Sequence, residues 1–336
     1  MLHGGALAIA GALLALMPAP AAAEPARFVP PAAREAAPAR PVGVLVAQPH
    51  LASSIELGRI AFPGWGGGAL GAIIIASTND IPQRLAEAAI GRSEARIAPL
   101  RSELEDFDAA ALAGDATLAA LAGAGWLGAS PPDMLTVGLG NTGETPHPVL
   151  VTRTYRIGLW GAAPNTSAAS DNWTGDVAAL EEQFALAHAD AGERTQVLWR
   201  YQMSPDFSAV QVFADVSIRR RGLPEPVYLQ QVISVVRLNR PALIEEDNVT
   251  RWAASDGGLA RRALQMAFAR AGEVLPQVLA LDQAGFTALQ ERGHETATAA
   301  GYHGPLLVRD DKGPVFWAED GDQRLAAFVA TQTIRE

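Results

Sequence analysis

The sequence predicts an α+β protein: an antiparallel sheet covered by helices, with a small C-terminal β-hairpin appendage. Three observations lead there. Val210, Val212, Ala214, Val216 and Ile218 alternate with Gln211, Phe213, Asp215, Ser217 and Arg219, as in a strand with one face buried. Turn material at Ser204-Pro-Asp206 and Gly222-Leu-Pro-Glu-Pro226 divides the region into strands at 195–203, 207–220 and 227–238, an antiparallel meander. A long helix then begins near Asn248 to Thr250, with Trp252, Leu259, Ala263, Phe268, Ala271, Leu275 and Val278 spaced to pack on that sheet.

The amino terminus has an apolar run from Ala6 to Met17, a Pro18 break, and small residues at Ala21 and Ala23 ahead of Glu24. Residues 1–23 therefore read as a cleaved secretory signal peptide, too short in its apolar part to span a bilayer. Residues 24–42, EPARFVPPAAREAAPARPV, read as a Pro/Ala-rich linker, a semi-rigid tether without apolar surface to bury. The α+β body spans 43–282, and its first strand is VGVLVA, closed by Pro49.

Asp80-Ile-Pro-Gln83 resembles a capping box. The helix after it aligns Ala86, Ile90, Ile97, Leu100, Leu104 and Phe107 on one face, with Gly91 and Pro99 expected to kink or divide it. Its charged face reads as solvated. A shorter Ala/Leu-rich helix is expected at 109–122, two strands around a turn within 133–160, and a helix capped by Asp176 running to about His188. Residues 283–336 form the appendage. There PLLV (305–308) and PVFWA (314–318) flank the hairpin turn Asp310 to Gly313, and Leu306, Val308, Phe316 and Trp317 are free to dock peripherally on a body that folds without them.

Composition narrows the setting. The chain has no cysteine, so disulfides, thiolate metal sites, catalytic thiols and a lipid-bearing amino-terminal Cys are all excluded. A single lysine among 26 basic side chains, with abundant Ala and Gly, is the signature of a GC-rich bacterial genome, and export then means the periplasm or cell envelope. The net charge of −10 disfavours nucleic acid and purely electrostatic attachment to anionic lipid; any membrane contact must be apolar.

Motif by motif, no chemistry is named. Gly138-Leu-Gly140-Asn-Thr-Gly143 matches the dinucleotide pattern, but Pro146 and Pro148 forbid the helix that must hold the pyrophosphate, and no acidic residue follows at the ribose position. His294, Glu295 and His303 lack zinc-helix spacing, because position 298 is Thr. No nucleophile elbow, P-loop or S-x-x-K occurs. Glu245-Glu246-Asp247 and Glu319-Asp320 read as solvated runs or helix starts, and Arg219-Arg220-Arg221 as a solvated hairpin tip. No catalytic residue, metal ligand, cofactor or small-molecule ligand is therefore assigned.

The unusual stretch is FPGWGGGALGAIIIAS, residues 62–77, uncharged and glycine-rich. A phosphate loop would need Gly-Lys-Ser/Thr, and the apolar length falls short of the roughly twenty residues a spanning helix takes. Read as a helix, Gly64, Gly68, Ala72 and Ala76 recur every fourth position, with Gly67 and Gly71 as a second small pair. That stripe lets another backbone approach in lipid or in an oligomer interface. Read otherwise, it is a glycine turn feeding a buried strand, LGAIIIA. These six residues are the candidate packing or membrane contact.

With the helix EARIAPLRSELEDFDAAAL, the pair RYQMSPDFSAVQVFADVSI and the helix start TRWAASDGG, this segment resembles uncharacterised exported proteins of proteobacteria over residues 55–280. A weaker similarity joins 62–77 to glycine-zipper segments of outer-membrane lipoproteins. Neither resemblance implies an activity. The expectation is a non-catalytic envelope protein contacting a membrane or a partner subunit, itself included, through 62–77. The rival is a periplasmic hydrolase or small-ligand binder, its site built from distant carboxylates and from Trp199, Tyr201, Trp252 and Trp317.

Overall fold

A computed structural model describes residues 25–35, 40–56, 81–124, 131–137, 150–153, 171–292, 296–299, 302–319 and 326–335. The leader and the glycine-rich segment with Gly64, Gly67, Gly68, Gly71, Ala72 and Ala76 lie outside them, as do the glycines of 138–143, His294 and Glu295. The fold is α+β. Its strands are β1 (Val42–Val46), β2 (Ser54–Glu56), β3 (Asp133–Thr136), β4 (Leu150–Arg153), β5 (Glu193–Met203), β6 (Ala209–Arg220), β7 (Tyr228–Leu238), β8 (Thr296–Ala299), β9 (Tyr302–Asp310), β10 (Gly313–Glu319) and β11 (Ala326–Ile334). Its helices are α1 (Pro31–Glu35), α2 (Ile81–Glu103), α3 (Ala109–Gly123), α4 (Asp171–Ala187), α5 (Glu245–Ala280) and α6 (Gln283–Glu291).

Nine strands form one sheet in the order β3-β1-β5-β6-β7-β11-β10-β9-β8, and β2 pairs β4 in a small parallel ribbon. The meander β5-β6-β7 is antiparallel, as its alternation predicts. The sheet as a whole is mixed, because β1 lies parallel to both β3 and β5, and β11 parallel to β7. Long helical connections separate these partners in sequence, and such crossovers permit parallel pairing. The two strands expected within 133–160 are present as β3 and β4, but they pair with β1 and β2 rather than with each other.

One face of the sheet packs on α2, α3, α5 and α6. Val197, Trp199, Tyr201, Val210, Val212, Val216, Val232 and Phe328 meet Ile97, Leu100, Ala113, Ala116, Leu264, Phe268, Leu275 and Phe286 in the main core. The other face carries α4 at one end, where Leu180 and Phe184 cover Leu45, Ala47 and Leu135. β1 is buried on both faces, Val44 and Val46 toward one core and Leu45 toward the other, which explains its unbroken apolar sequence.

The helices repay closer reading. Asp108 caps α3, its Oδ1 accepting from Ala111 N at 2.8 Å. The small residues of α3 bring it against α5: a Cβ added to Gly272 would lie 2.9 Å from the Ala116 carbonyl oxygen. Of the kink or division expected at Gly91 and Pro99, division does not occur: α2 is one helix through both, with Ile97 and Leu100 buried on either side of Pro99. The start of α4 is Asp171 and not Asp176, which lies in its second turn. α5 is two helices joined at a kink, where Ser255, Asp256 and Gly257 take left-handed φ of 55°, 57° and 68°.

Two terminal regions differ from expectation. The expected tether is packed where it is described: Val29 and Ala33 belong to the core, and Ala26 bridges Tyr228 beside β7. Arg34 Nη2 donates to the carbonyls of Leu279, Ala280 and Leu281 at 3.2, 2.9 and 2.6 Å, capping the end of α5, while Arg40 pairs with Glu193. Proline-rich composition hid this because the arginines bring order through hydrogen bonds rather than apolar area. At the other end, the C-terminal hairpin is present as β9 and β10 around Asp310 to Gly313, and β11 joins it to β7 along eight consecutive register pairs.

Candidate functional site

The candidate segment 62–77 lies outside the described residues, between β2 ending at Glu56 and α2 beginning at Ile81. Of these two elements, β2 is tied through Ser54 to Met203, at the carboxyl ends of β1, β3, β5, β7 and β11, which share one strand direction. Chain leaving β1 passes to α2 and α3 on one face, whereas chain entering β5 comes from α4 on the other. A gap between β1 and β5 at such a reversal is where open sheets usually take ligands.

Here the gap is closed by the chain itself. Gln48 continues from β1, accepting from Tyr201 N at 3.3 Å and donating to the His50 carbonyl at 2.7 Å. Met203 N donates to Ala52 O at 2.8 Å, and Ser54 Oγ to Met203 O at 2.6 Å. Residues 48–54 thus lie along β5 and deliver the chain to β2 at the rim.

α2 is tied to the same place. Ser53 Oγ donates to Glu94 Oε1 at 2.7 Å, Glu94 Oε2 accepts from Arg101 Nη1 at 2.8 Å, and Arg101 Nε donates to Leu51 O at 3.0 Å. Burial, helped by the nearby Arg101 charge and opposed by Glu105, pulls His50 below the usual imidazole range and keeps it neutral at pH 7. One turn earlier in α2, Arg96 Nε pairs with Glu246 at 2.7 Å, and its Nη1 with Glu245. The acidic run at 245–247 is therefore the start of α5, held to α2. Asn248, 1% exposed, donates to Ala242 O at 3.1 Å and to Asp206 O at 3.2 Å, latching the β7–α5 connection to the β5–β6 turn.

The arrangement is a rigid polar frame. Its charged groups face one another rather than forming a carboxylate pair that faces open space. The aromatic residues proposed for a ligand pocket lie in the interior: Trp199, Tyr201, Trp252 and Trp317 are all at most 2% exposed. Trp199 Nε1 donates to Thr117 Oγ1 at 3.0 Å and Trp252 Nε1 to Phe207 O at 2.7 Å. They build the core. Nothing in spacing alone separates a core tryptophan from a pocket one.

The remaining sequence candidates resolve similarly. Arg219 pairs with Glu181 at 3.1 Å and Arg220 with Glu193 at 2.7 Å, so two arginines of the triplet fasten α4 and β5 to β6. His303 is exposed on β9, opposite Thr298. Among the described residues no group of three or more His, Asp or Glu side chains could hold a metal ion, and no helix is long and apolar enough to cross a membrane. A groove of about 760 Å³ lies between residues 28–34 and α6; of its charged lining residues, Arg34 binds the end of α5, Asp282 caps α6 through Gly285 N at 2.7 Å, and Glu291 is the third.

No protein-family model, curated protein or solved structure matches this chain.

Proposed function

We propose that this is a non-catalytic protein of the bacterial envelope, exported to the periplasm, that contacts a membrane or a partner subunit through Gly64, Gly67, Gly68, Gly71, Ala72 and Ala76. The observation that carries the reading is the uncharged glycine-striped segment itself, which follows β2 and precedes α2 in the chain. β2 is hydrogen-bonded to the end of β5, and α2 is bound to residues 51–53 through Glu94 and Arg101. In water each interior helical glycine costs about 1 kcal/mol against alanine, so a stripe of them is retained for a contact that a larger side chain would block.

Cell fractionation tests this. Wild-type protein should be recovered with membranes or in an assembly larger than a monomer, and Gly68→Leu or Gly71→Leu should release it to the monomeric soluble fraction. Recovery of wild type as a soluble periplasmic monomer, unchanged by either substitution, would overturn the proposal.

A further inference from the structure

The turn that joins β7 to α5 exposes two apolar side chains side by side. Leu243 is fully solvent-exposed and Ile244 is 58% exposed. Neither is left there by a loose loop. Asn248 Oδ1 accepts from Ala242 N at 2.8 Å while its amide group binds Ala242 O and Asp206 O, and this buried asparagine fixes the turn from beneath. Ile244 also occupies the N-cap of α5 and makes no side-chain capping bond, at a position where Asn, Asp or Ser would stabilise the helix. Leu243 gains nothing from burial. Both residues therefore work against the fold's own stability.

Their surroundings suit a lipid surface. Exposed Arg240 lies just before the turn and exposed Arg335 near it, the latter because Asn239 N donates to Ile334 O at 3.0 Å. Arg96 pairs with both Glu245 and Glu246, and Arg240 and Arg335 stand on this rim against the exposed Asp247. Two apolar side chains fall far short of the roughly 20–30 residues a side that a stable protein interface engages, whereas a bilayer needs no matching shape.

We propose that Leu243 and Ile244 are an apolar anchor that inserts into a bilayer surface, with Arg240 and Arg335 at headgroup level. This rests on the reading above in its membrane form, and it adds a second contact to it.

The test is flotation of the full chain with phosphatidylethanolamine/phosphatidylglycerol vesicles. Wild type should float with the vesicles, and Leu243→Asp/Ile244→Asp should reduce the bound fraction at least fivefold. The double variant places a carboxylate at the N-cap, so its melting temperature should hold or rise and unfolding cannot account for the loss. Leu223→Asp, an exposed leucine on the β6–β7 turn, should float like wild type. Because the chain has no cysteine, Leu243→Cys carrying an environment-sensitive fluorophore reports insertion at one site, as a blue shift on adding vesicles. Flotation of the double variant equal to wild type, or no blue shift, overturns the anchor. If Gly68→Leu still abolishes flotation in that case, the segment 62–77 stands and only the anchor falls. If wild type fails to float at all, the anchor falls together with the membrane form of the proposed function. Loss of a concentration-dependent dimer in the double variant, without flotation of wild type, would assign the turn to a second copy instead.

Discussion

Deleting residues 320–336 should abolish cooperative folding rather than trim a dispensable edge. β11 lies between β7 and β10, and along it Ala327, Phe328, Val329 and Ala330 are all fully buried, with Ile334 at 7% exposure. At roughly 1.5–3 kcal/mol per large apolar side chain, removing Phe328, Val329 and Ile334 forfeits about 4–9 kcal/mol. That comes before the uncovering of Val232, Ile233 and Trp317, and before the loss of the ladder to both neighbours. Typical domain stability is about 5–15 kcal/mol, so little or nothing remains. Phe328→Ala gives the graded version and should cost about 3–5 kcal/mol, since its ring packs 4.9 Å from that of Trp317. Thermal unfolding followed by far-ultraviolet circular dichroism and calorimetry reads both. A truncated chain that unfolds cooperatively within a few degrees of wild type would refute the reasoning and show β11 to be peripheral.

Two further outcomes follow from single contacts. Gly272→Ala drives a methyl group against Ala116 where α3 and α5 touch, and should lower the urea midpoint by the equivalent of about 1–3 kcal/mol. Gly175→Ala, on α4 with open space around it, should be neutral or slightly stabilising, and equal effects at the two sites would contradict the close approach. Asp310 is held below the usual carboxylate range by hydrogen bonds from Arg270, with the Arg270 charge and the amides of Lys312 and Gly313 adding to them against a smaller opposing effect of burial. A depressed folded-state value means stability that is present above the unfolded value, about pH 4, and lost as pH falls through the folded one. Asp310→Asn should therefore destabilise at pH 7, with the difference from wild type shrinking below about pH 4. A difference that stays constant down to pH 2 would rule out that linkage.

How much of this was legible in the residues depends on how many faces each element buries. β5 and β6 alternate because their second faces carry groups such as Arg200, Gln202, Gln211 and Asp215, which bond one another across the sheet, and with the turn signals on either side of them the boundaries of β5, β6 and β7 could be read to within about two residues. The long helix was legible because Trp252, Phe268 and Leu275 keep helical spacing, and the hairpin because Asp310 to Gly313 is a local turn signal. β11 was not legible, because buried on both faces it shows no alternation and reads simply as an apolar run. The packing of residues 25–35 was hidden for a different reason: it depends on Arg34 meeting carbonyls 245 to 247 residues away, a relation no local window contains. The frame at the strand ends was missed likewise, since Glu94, Arg101 and Ser53 join only in three dimensions. The six small residues of 62–77 are a signal of the sequence alone and lie outside the described residues.

The clasp of Arg34 on the end of α5 has a consequence for the order of assembly. A chain emerging amino end first brings out the clasp long before the carbonyls it must bind, and long before Tyr228, to which Ala26 bridges. β1 likewise waits for β5, and β7 waits for β11. β1 can pair with β3, and β5 to β7 with one another, as they emerge, but the sheet is not sealed until β11 arrives beside β7. Until then apolar strand edges need shelter, and non-local closure of this kind is slow. A stall near residue 281 would yield a fragment in which β7 still presents the edge that β11 covers.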